Sequence, residues 1–276
     1  GDALVYTWEQ NDRGAGMALF DNDKRYGPLF RIFSDNASVS STDSYESPSP
    51  GQNTASSEPV RVFPDMIQRS VPGYGSILSM IGEVAESHVK PDTAVFDLGC
   101  SLGACTMVIR PRIPQSCVIH AIDNSQAMTN ALEARLKELP GGCEVRLRCA
   151  DIRETTVQNA SLSVLNFTLQ FVPKEEREAL LGVIADGTLP GGALVLSEKI
   201  SFENEAHQEL LTTLHHSFKR ANGYSDLEIA QKRTSLENTL IPEYLQTHLD
   251  RLKRVGFSVA TCWFQCFNFV SILAVK

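Results

Sequence analysis

The chain has 276 residues, 42% of them hydrophobic and 21% charged, enough to bury one large core with a tail to spare. Its 33 acidic and 25 basic residues give a formal charge of −8, and residues 1–60 hold 9 of the acids against 4 of the bases. The remaining body is mildly acidic, which argues against a protein that grips nucleic acid alone, since that needs a basic face to displace condensed counterions. No apolar run approaches the roughly 20 residues of a membrane span, and no signal sequence opens the chain, so a soluble, cytoplasmic protein is expected. Seven cysteines without a Cys-x-x-Cys pair read as reduced thiols, and Cys262 and Cys266 lack the histidines that would make them a metal site.

Residues 1–33 contain apolar clusters without a sustained period. Residues 34–59 are dominated by Ser, Pro, Asn and acids and have almost nothing to bury. Residues 1–60 are therefore expected to be a divergent, largely disordered extension, and 61–276 the ordered domain. From Val62 the text alternates apolar segments of strand and helix length. The stretch Asp65–Ala85 reads as two helical pieces broken at Pro72-Gly73. Strands are predicted at Ala94–Asp97, Val118–Ile122, Glu144–Arg148, Leu162–Asn166, Ala193–Ser197, Ser258–Gln265 and Phe269–Val275. Helices are predicted at Gly103–Ile109, Gln126–Leu139, Lys174–Gly187, His207–Arg220, Asp226–Glu237 and Pro242–Val255. The fold class is α/β: a Rossmann-like, seven-stranded, mostly parallel sheet ending in a β-hairpin, the arrangement of class I S-adenosylmethionine-dependent methyltransferases. A helical insertion at about 202–240 should cap the cleft.

The strongest local signal is Val95-Phe96-Asp97-Leu98-Gly99-Cys100-Ser101-Leu102-Gly103, a buried strand ending in a glycine-rich turn that enters a helix. Such a turn lets the backbone approach a ligand beyond the carboxyl ends of the strands. Asp97, two residues before the first glycine, suits the ammonium of a methionyl nucleoside better than a pyrophosphate. Ser101 also breaks the Gly-x-Gly-x-x-Gly of a dinucleotide site. Asp123, 24 positions after Gly99, is placed to accept from a ribose diol. Asp151 and Ile152 suit an adenine amine and ring face, and Asn166 ends the fourth strand with both donor and acceptor capacity. Each has an ordinary reading as well: Asp123-Asn124-Ser125 and Asp151 are equally good turn and helix-cap residues. The order of these residues, each at a strand's carboxyl end, is what favours a nucleoside site.

From Val62 to the C-terminus the chain resembles the carboxy-S-adenosylmethionine synthases. The resemblance is carried by VFPDMIQRSVPGY (62–74), DLGCSLGA (97–104), AIDNSQAM (121–128), NFTLQF (166–171), GGALVLSEK (191–199), FKRANGYSDLEIAQKR (218–233) and WFQCFNF (263–269). It implies a homodimeric transferase that converts S-adenosylmethionine and prephenate to carboxy-S-adenosylmethionine, phenylpyruvate and water. It further implies that a partner enzyme of the same fold uses the product to modify a tRNA wobble uridine. Carried over by motif, Tyr74, Gly99, Cys100, Ser101, Asp123, Asn124, Asp151, Ile152 and Asn166 line the cofactor, and Arg233 binds the added carboxylate. No metal is implied. A conventional small-molecule methyltransferase and a non-catalytic cofactor-binding subunit are the alternatives.

The chemistry is consistent with that expectation. A sulfonium acidifies its methyl protons, and prephenate releases carbon dioxide and hydroxide as its ring becomes aromatic. Positioning and water exclusion then matter more than a strong protein base, and no general base is assigned. A guanidinium suits the new carboxylate, although Gln231-Lys232-Arg233 by spacing alone reads as a solvated helix face. His215, His216, Lys219 and Arg220 are candidates for holding a dicarboxylate, with adjacent histidines unable to share one helix face. Tyr224 and Trp263 either close the pocket or pack. One departure from the family is the stretch before VFPDMI, where an F-x-F-D-E pattern is replaced by Ala55–Arg61.

Overall fold

The computed structural model describes residues 58–230 and 239–276. The disorder expected for residues 1–60 falls, up to residue 57, outside the described residues, as do Arg233 and the end of the helix expected at 226–237.

Two helices lead into the sheet: α1 (Glu58–Ser70) and α2 (Tyr74–His88). The break between them falls at Pro72-Gly73, as the turn chemistry predicts, with Gly73 at φ +74°. The first helix begins at Glu58, upstream of Val62, and carries Pro64 inside it. The expected alternation follows as β1 (Ala94–Leu98), α3 (Ala104–Ile109), β2 (Val118–Asp123), α4 (Gln126–Glu138), β3 (Glu144–Cys149), β4 (Ala160–Asn166), α5 (Lys174–Gly187) and β5 (Thr188–Ser201). The cap helix α6 spans Glu205–Ala221. A further helix opens at Asp226 with a capping box, in which Ser225 N–H and Oγ–H donate to Glu228 Oε2 at 2.8 and 2.7 Å. The chain closes with β6 (Glu243–Tyr244), α7 (Leu245–Arg254), β7 (Val259–Cys266) and β8 (Phe269–Val275).

The main sheet runs β3-β2-β1-β4-β5-β8-β7. Its first five strands are parallel, β8 is antiparallel to β5, and β7–β8 form the terminal hairpin. The strand order reverses between β1 and β4, which opens a crevice beyond their carboxyl ends. β1 is buried along its whole length because helices cover both faces, so its sequence reads as a continuous apolar run rather than an alternation. On one face Phe96, Leu98, Leu165, Leu196 and Ile272 pack against Leu181 and Ile184 of α5 and Leu252 of α7. At about 1.5–3 kcal/mol for each fully buried side chain, this layer supplies much of the folding free energy. The outer strand β3 is largely exposed and carries Glu144, Arg146 and Arg148, charges that blunt a sheet edge.

Two expectations are corrected. The sheet has eight strands rather than seven, because β6 adds two residues in parallel to an extension of β5, pairing Ile200 with Glu243 and Ser201 with Tyr244. The helix expected to start at Pro242 therefore starts at Leu245. A buried charge cluster explains both. Arg177 of α5, fully buried, donates to Glu243 Oε2 at 2.6 Å and to the carbonyls of Val172 (2.9 Å), Gln170 (3.1 Å) and Ile241 (2.8 Å). Arg251 of α7 donates to Glu243 Oε1 at 2.7 Å. These contacts hold residues 241–243 extended against β5 before the helix can begin. Glu198 lies fully buried beside the same cluster, and burial pushes its carboxyl well above the usual range.

Candidate functional site

The turn after β1 is held in a conformation few sequences could adopt. Gly99 and Gly103 have φ of +81° and +77°, and Ser101, which is not a glycine, has φ +49°. A Cβ on Gly99 would lie 2.3 Å from Oγ1 of Thr168, and one on Gly103 would lie 2.3 Å from Leu132 Cδ1. Both glycines are therefore required by space as well as by φ. The N–H groups of Gly99 and Cys100 both donate to the carbonyl of Ile122, at 2.8 and 3.0 Å, which ties the turn to the end of β2.

Asp123 completes that tie. Its Oδ2 accepts from Ser101 N–H at 2.9 Å and its Oδ1 from Ser125 N–H at 2.9 Å, while Ser125 Oγ caps α4. The turn-and-cap reading of Asp123-Asn124-Ser125 and the nucleoside reading thus coexist: the carboxylate is fixed by the backbone and keeps further lone pairs for a diol. Asn124 is exposed beside it.

Asp97 sits on the floor of the turn, almost fully buried. Its Oδ2 accepts from Thr106 N–H (3.0 Å) and Oγ1–H (2.6 Å), so it also anchors α3. Burial pushes its pKa up to about 6, against the Thr106 hydrogen bonds, which lower it. Tyr74 of α2 is buried close by, and its phenol is driven upward by burial and by the charge of Asp97. Asn166, ending β4, has a buried carboxamide oxygen with no partner among the described residues, and the same holds for Ser101 Oγ. Orphaned polar atoms lining a glycine turn are the donor and acceptor set that a nucleoside amino acid would satisfy.

Other predicted residues are placed differently. The side chain of Cys100 is buried in a small core with Ala121 and Leu132, so only its backbone faces the turn. Asp151 is bound to Arg153, which donates from Nε to both carboxylate oxygens at 3.0 Å, and this holds its pKa low. Ile152 is buried in the main core beneath it. Among the described residues, no group of three or more His, Cys, Asp or Glu is arranged to hold a metal. No described helix is long and apolar enough to cross a membrane.

Aromatic residues beyond the predicted set form one wall of the cleft. The Phe167 ring lies 6.3 Å from Tyr74 and meets Phe269 edge-on at 6.0 Å; Phe269 in turn meets His215 of the cap edge-on at 4.8 Å. Phe167 has φ +61°, a strained turn directly after Asn166 that the NFTLQF segment could have signalled. Tyr224 is held by Ser70 Oγ–H at 3.1 Å with Arg69 4.4 Å above its ring, so it fastens the cap to α1. Trp263 packs beside Phe264 in β7.

A methyltransferase domain family matches residues 95–192, the segment from β1 to β5 that builds this turn. The chain is 57% identical over 217 residues to the carboxy-S-adenosyl-L-methionine synthase of Marinobacter nauticus, covering 78% of this chain and 87% of that protein. It is 54% identical over 216 residues to the synthase of the same name from Salmonella paratyphi C, again covering 78% and 87%. The chain belongs to the carboxy-S-adenosyl-L-methionine synthase family. It is accordingly an enzyme of transferase type, built on a class I methyltransferase fold. Among solved structures, magnesium protoporphyrin IX methyltransferase from Synechocystis PCC 6803, crystallised with bound SAH, superposes with a TM-score of 0.55 at 12% identity, covering 91% of this chain and 96% of that one. A putative O-methyltransferase from Nostoc punctiforme gives 0.54 at 14% identity, over 79% and 60%. At such identities these two speak for the fold alone.

Proposed function

We propose that this chain makes carboxy-S-adenosylmethionine from S-adenosylmethionine and prephenate, releasing phenylpyruvate and water. The observation that carries the reading is the family membership itself, held at more than half identity over 78% of the chain. In this reading Asp97 meets the methionyl ammonium, Asp123 the ribose hydroxyls, Asp151 and Ile152 the adenine, and the backbone of Gly99, Cys100 and Ser101 the nucleoside's underside. Tyr74, Asn124 and Asn166 complete the lining. Bound there, the nucleoside supplies a sulfonium methyl acidic enough to lose a proton and accept carbon dioxide. The residues orient it and exclude water, and the hydroxide expelled by the donor takes up the proton. Arg233 offers a permanently charged fork to the added carboxylate.

The same reading includes a homodimer in the cytoplasm and a separate enzyme of this fold that uses the product on tRNA wobble uridine. Incubating the purified protein with S-adenosylmethionine and prephenate should yield a nucleoside heavier by one carboxyl group, read by mass spectrometry. Arg233→Leu should give none while still binding S-adenosylmethionine. Methyl transfer without carboxylation, or no turnover at all, would defeat the reading.

The buried Asp97 makes a pH prediction. An ammonium needs the ionised carboxylate, whose pKa in the free protein is about 6. Affinity for S-adenosylhomocysteine should therefore be level above about pH 7 and fall by about tenfold for each unit below 6 as protonation competes. Calorimetric titrations between pH 5 and 8 measure this; a flat profile would take Asp97 out of the ammonium site.

A further inference from the structure

We propose that Lys219, with Lys199 beside it, binds a carboxylate of the acid that donates carbon dioxide, specifically the carboxylate that the acid keeps. The proposal rests on the carboxylating function above and adds to it the residues that select the donor.

Lys219 lies one turn beyond His215 on the buried face of α6. Of this helix only these two residues are buried, the rest being half-buried or exposed. His215 Nε2 is 2.8 Å from the carbonyl of Ser70, which pins that face toward the domain. The ring of His215 meets Phe269, and Phe269 is the cross-strand partner of Lys199 at the carboxyl end of β5. The wall Tyr74, Phe167, Phe269 and His215 therefore runs from beside Asp97 to the two lysines. Lys199 follows Ser197, the neighbour of Asn166, by two residues, which puts it on the same face of the sheet.

Lys219 is 9% exposed, and its ammonium makes no hydrogen bond or ion pair among the described residues. Burial first, and then the charge of Lys199, lower its pKa to about 8, which leaves it cationic at neutral pH. His215 feels both lysines and is pushed down to about 3, chiefly by burial, so it stays neutral and contributes shape rather than charge. The Lys219 ammonium, buried beside an aromatic wall without a counter-charge among the described residues and with the positive charge of Lys199 acting on it, is unfavourable unless an anion joins it. The anion that fits is an organic carboxylate carrying an unsaturated ring to lie along the aromatic wall.

A dicarboxylate donor has two candidates, and the chemistry separates them. The donor's ring–carboxyl bond breaks, its electron pair enters the ring, and hydroxide leaves from the ring. That hydroxide removes a proton from the sulfonium methyl as water, and the carbon's electron pair forms the new bond to carbon dioxide. A cation paired with the departing carboxylate would hold back the charge that must flow into the ring. The lysines therefore suit the keto-acid carboxylate, which keeps its charge throughout.

The test is prephenate affinity. In Lys219→Gln the KM for prephenate should rise about tenfold or more, with S-adenosylhomocysteine affinity within twofold of wild type, and Lys219→Arg should recover part of the loss. Lys199→Gln should shift KM in the same direction and serves if Lys219→Gln folds poorly. Unchanged prephenate KM in both, or loss of nucleoside affinity in step with it, would overturn the proposal. Calorimetric binding of prephenate to the protein loaded with S-adenosylhomocysteine separates the two readings. If wild type binds prephenate and Lys219→Gln does not, the anion site stands even where no carboxylated product forms; if wild type does not bind it, the site falls.

Discussion

Asp123→Ala should weaken S-adenosylhomocysteine binding by at least about a hundredfold. Two charge-assisted hydrogen bonds to a ribose diol are worth roughly 1.5–3 kcal/mol each, and the substitution removes both. It also removes the acceptor that holds Ser101 N–H and Ser125 N–H, so the turn after β1 loses its tie to β2 and the cost rises further. Asp123→Asn keeps one carbonyl acceptor and should lose only about tenfold. Isothermal titration of both variants checks the series. An alanine variant within threefold of wild type would mean that the diol is held elsewhere.

The second large effect is on stability. Glu243→Gln should cost about 3–5 kcal/mol, because it strands Arg177 and Arg251, both buried, with no carboxylate between them. For a domain of this size that corresponds to roughly 10 °C in Tm, read by calorimetry at neutral pH. Burial works to raise the Glu243 pKa, but the hydrogen bonds from Arg251 and Arg177 outweigh it and push it down to about 2. The sign follows: the contribution is complete above the ordinary glutamate range near 4.5 and is lost as pH falls from there toward 2. The gap in Tm between wild type and Glu243→Gln should accordingly close in acid. A variant as stable as wild type at pH 7 would show that the arginines find other partners.

Much of this architecture can be read from periodicity alone. Lys174–Gly187 and Phe269–Val275 fall where their patterns place them, and β1 announces itself as five apolar-biased residues before a glycine turn. The strand predicted at Ala193–Ser197 extends from Thr188 to Ser201, since its parallel pairing with β4 already begins at Thr188, opposite Ala160. Strand β6 has no signal of its own. It exists because Arg177, 66 positions earlier, reaches Glu243, and no window of neighbouring residues contains that fact. The site divides in the same way. Asp97, Asp123 and Asn166 are legible because strand ends and glycine turns are local features. Thr106, which holds Asp97 from α3, is not, nor is Thr168, which crowds Gly99, nor Lys199, whose neighbour Phe269 arrives from the terminal hairpin. Asp151 lies just after β3, where the strand pattern puts it, but its capture by Arg153 depends on side-chain geometry that spacing does not encode.

Ser70 has one further consequence. A single residue at the end of the leading helix receives both His215, through its carbonyl, and Tyr224, through its hydroxyl. The lead helix is thus the abutment of the cap, and it packs as well against α4, the helix that Ser125 caps directly after Asp123. One short element therefore braces both ends of the cleft, and a substitution that loosens it should disturb the two together.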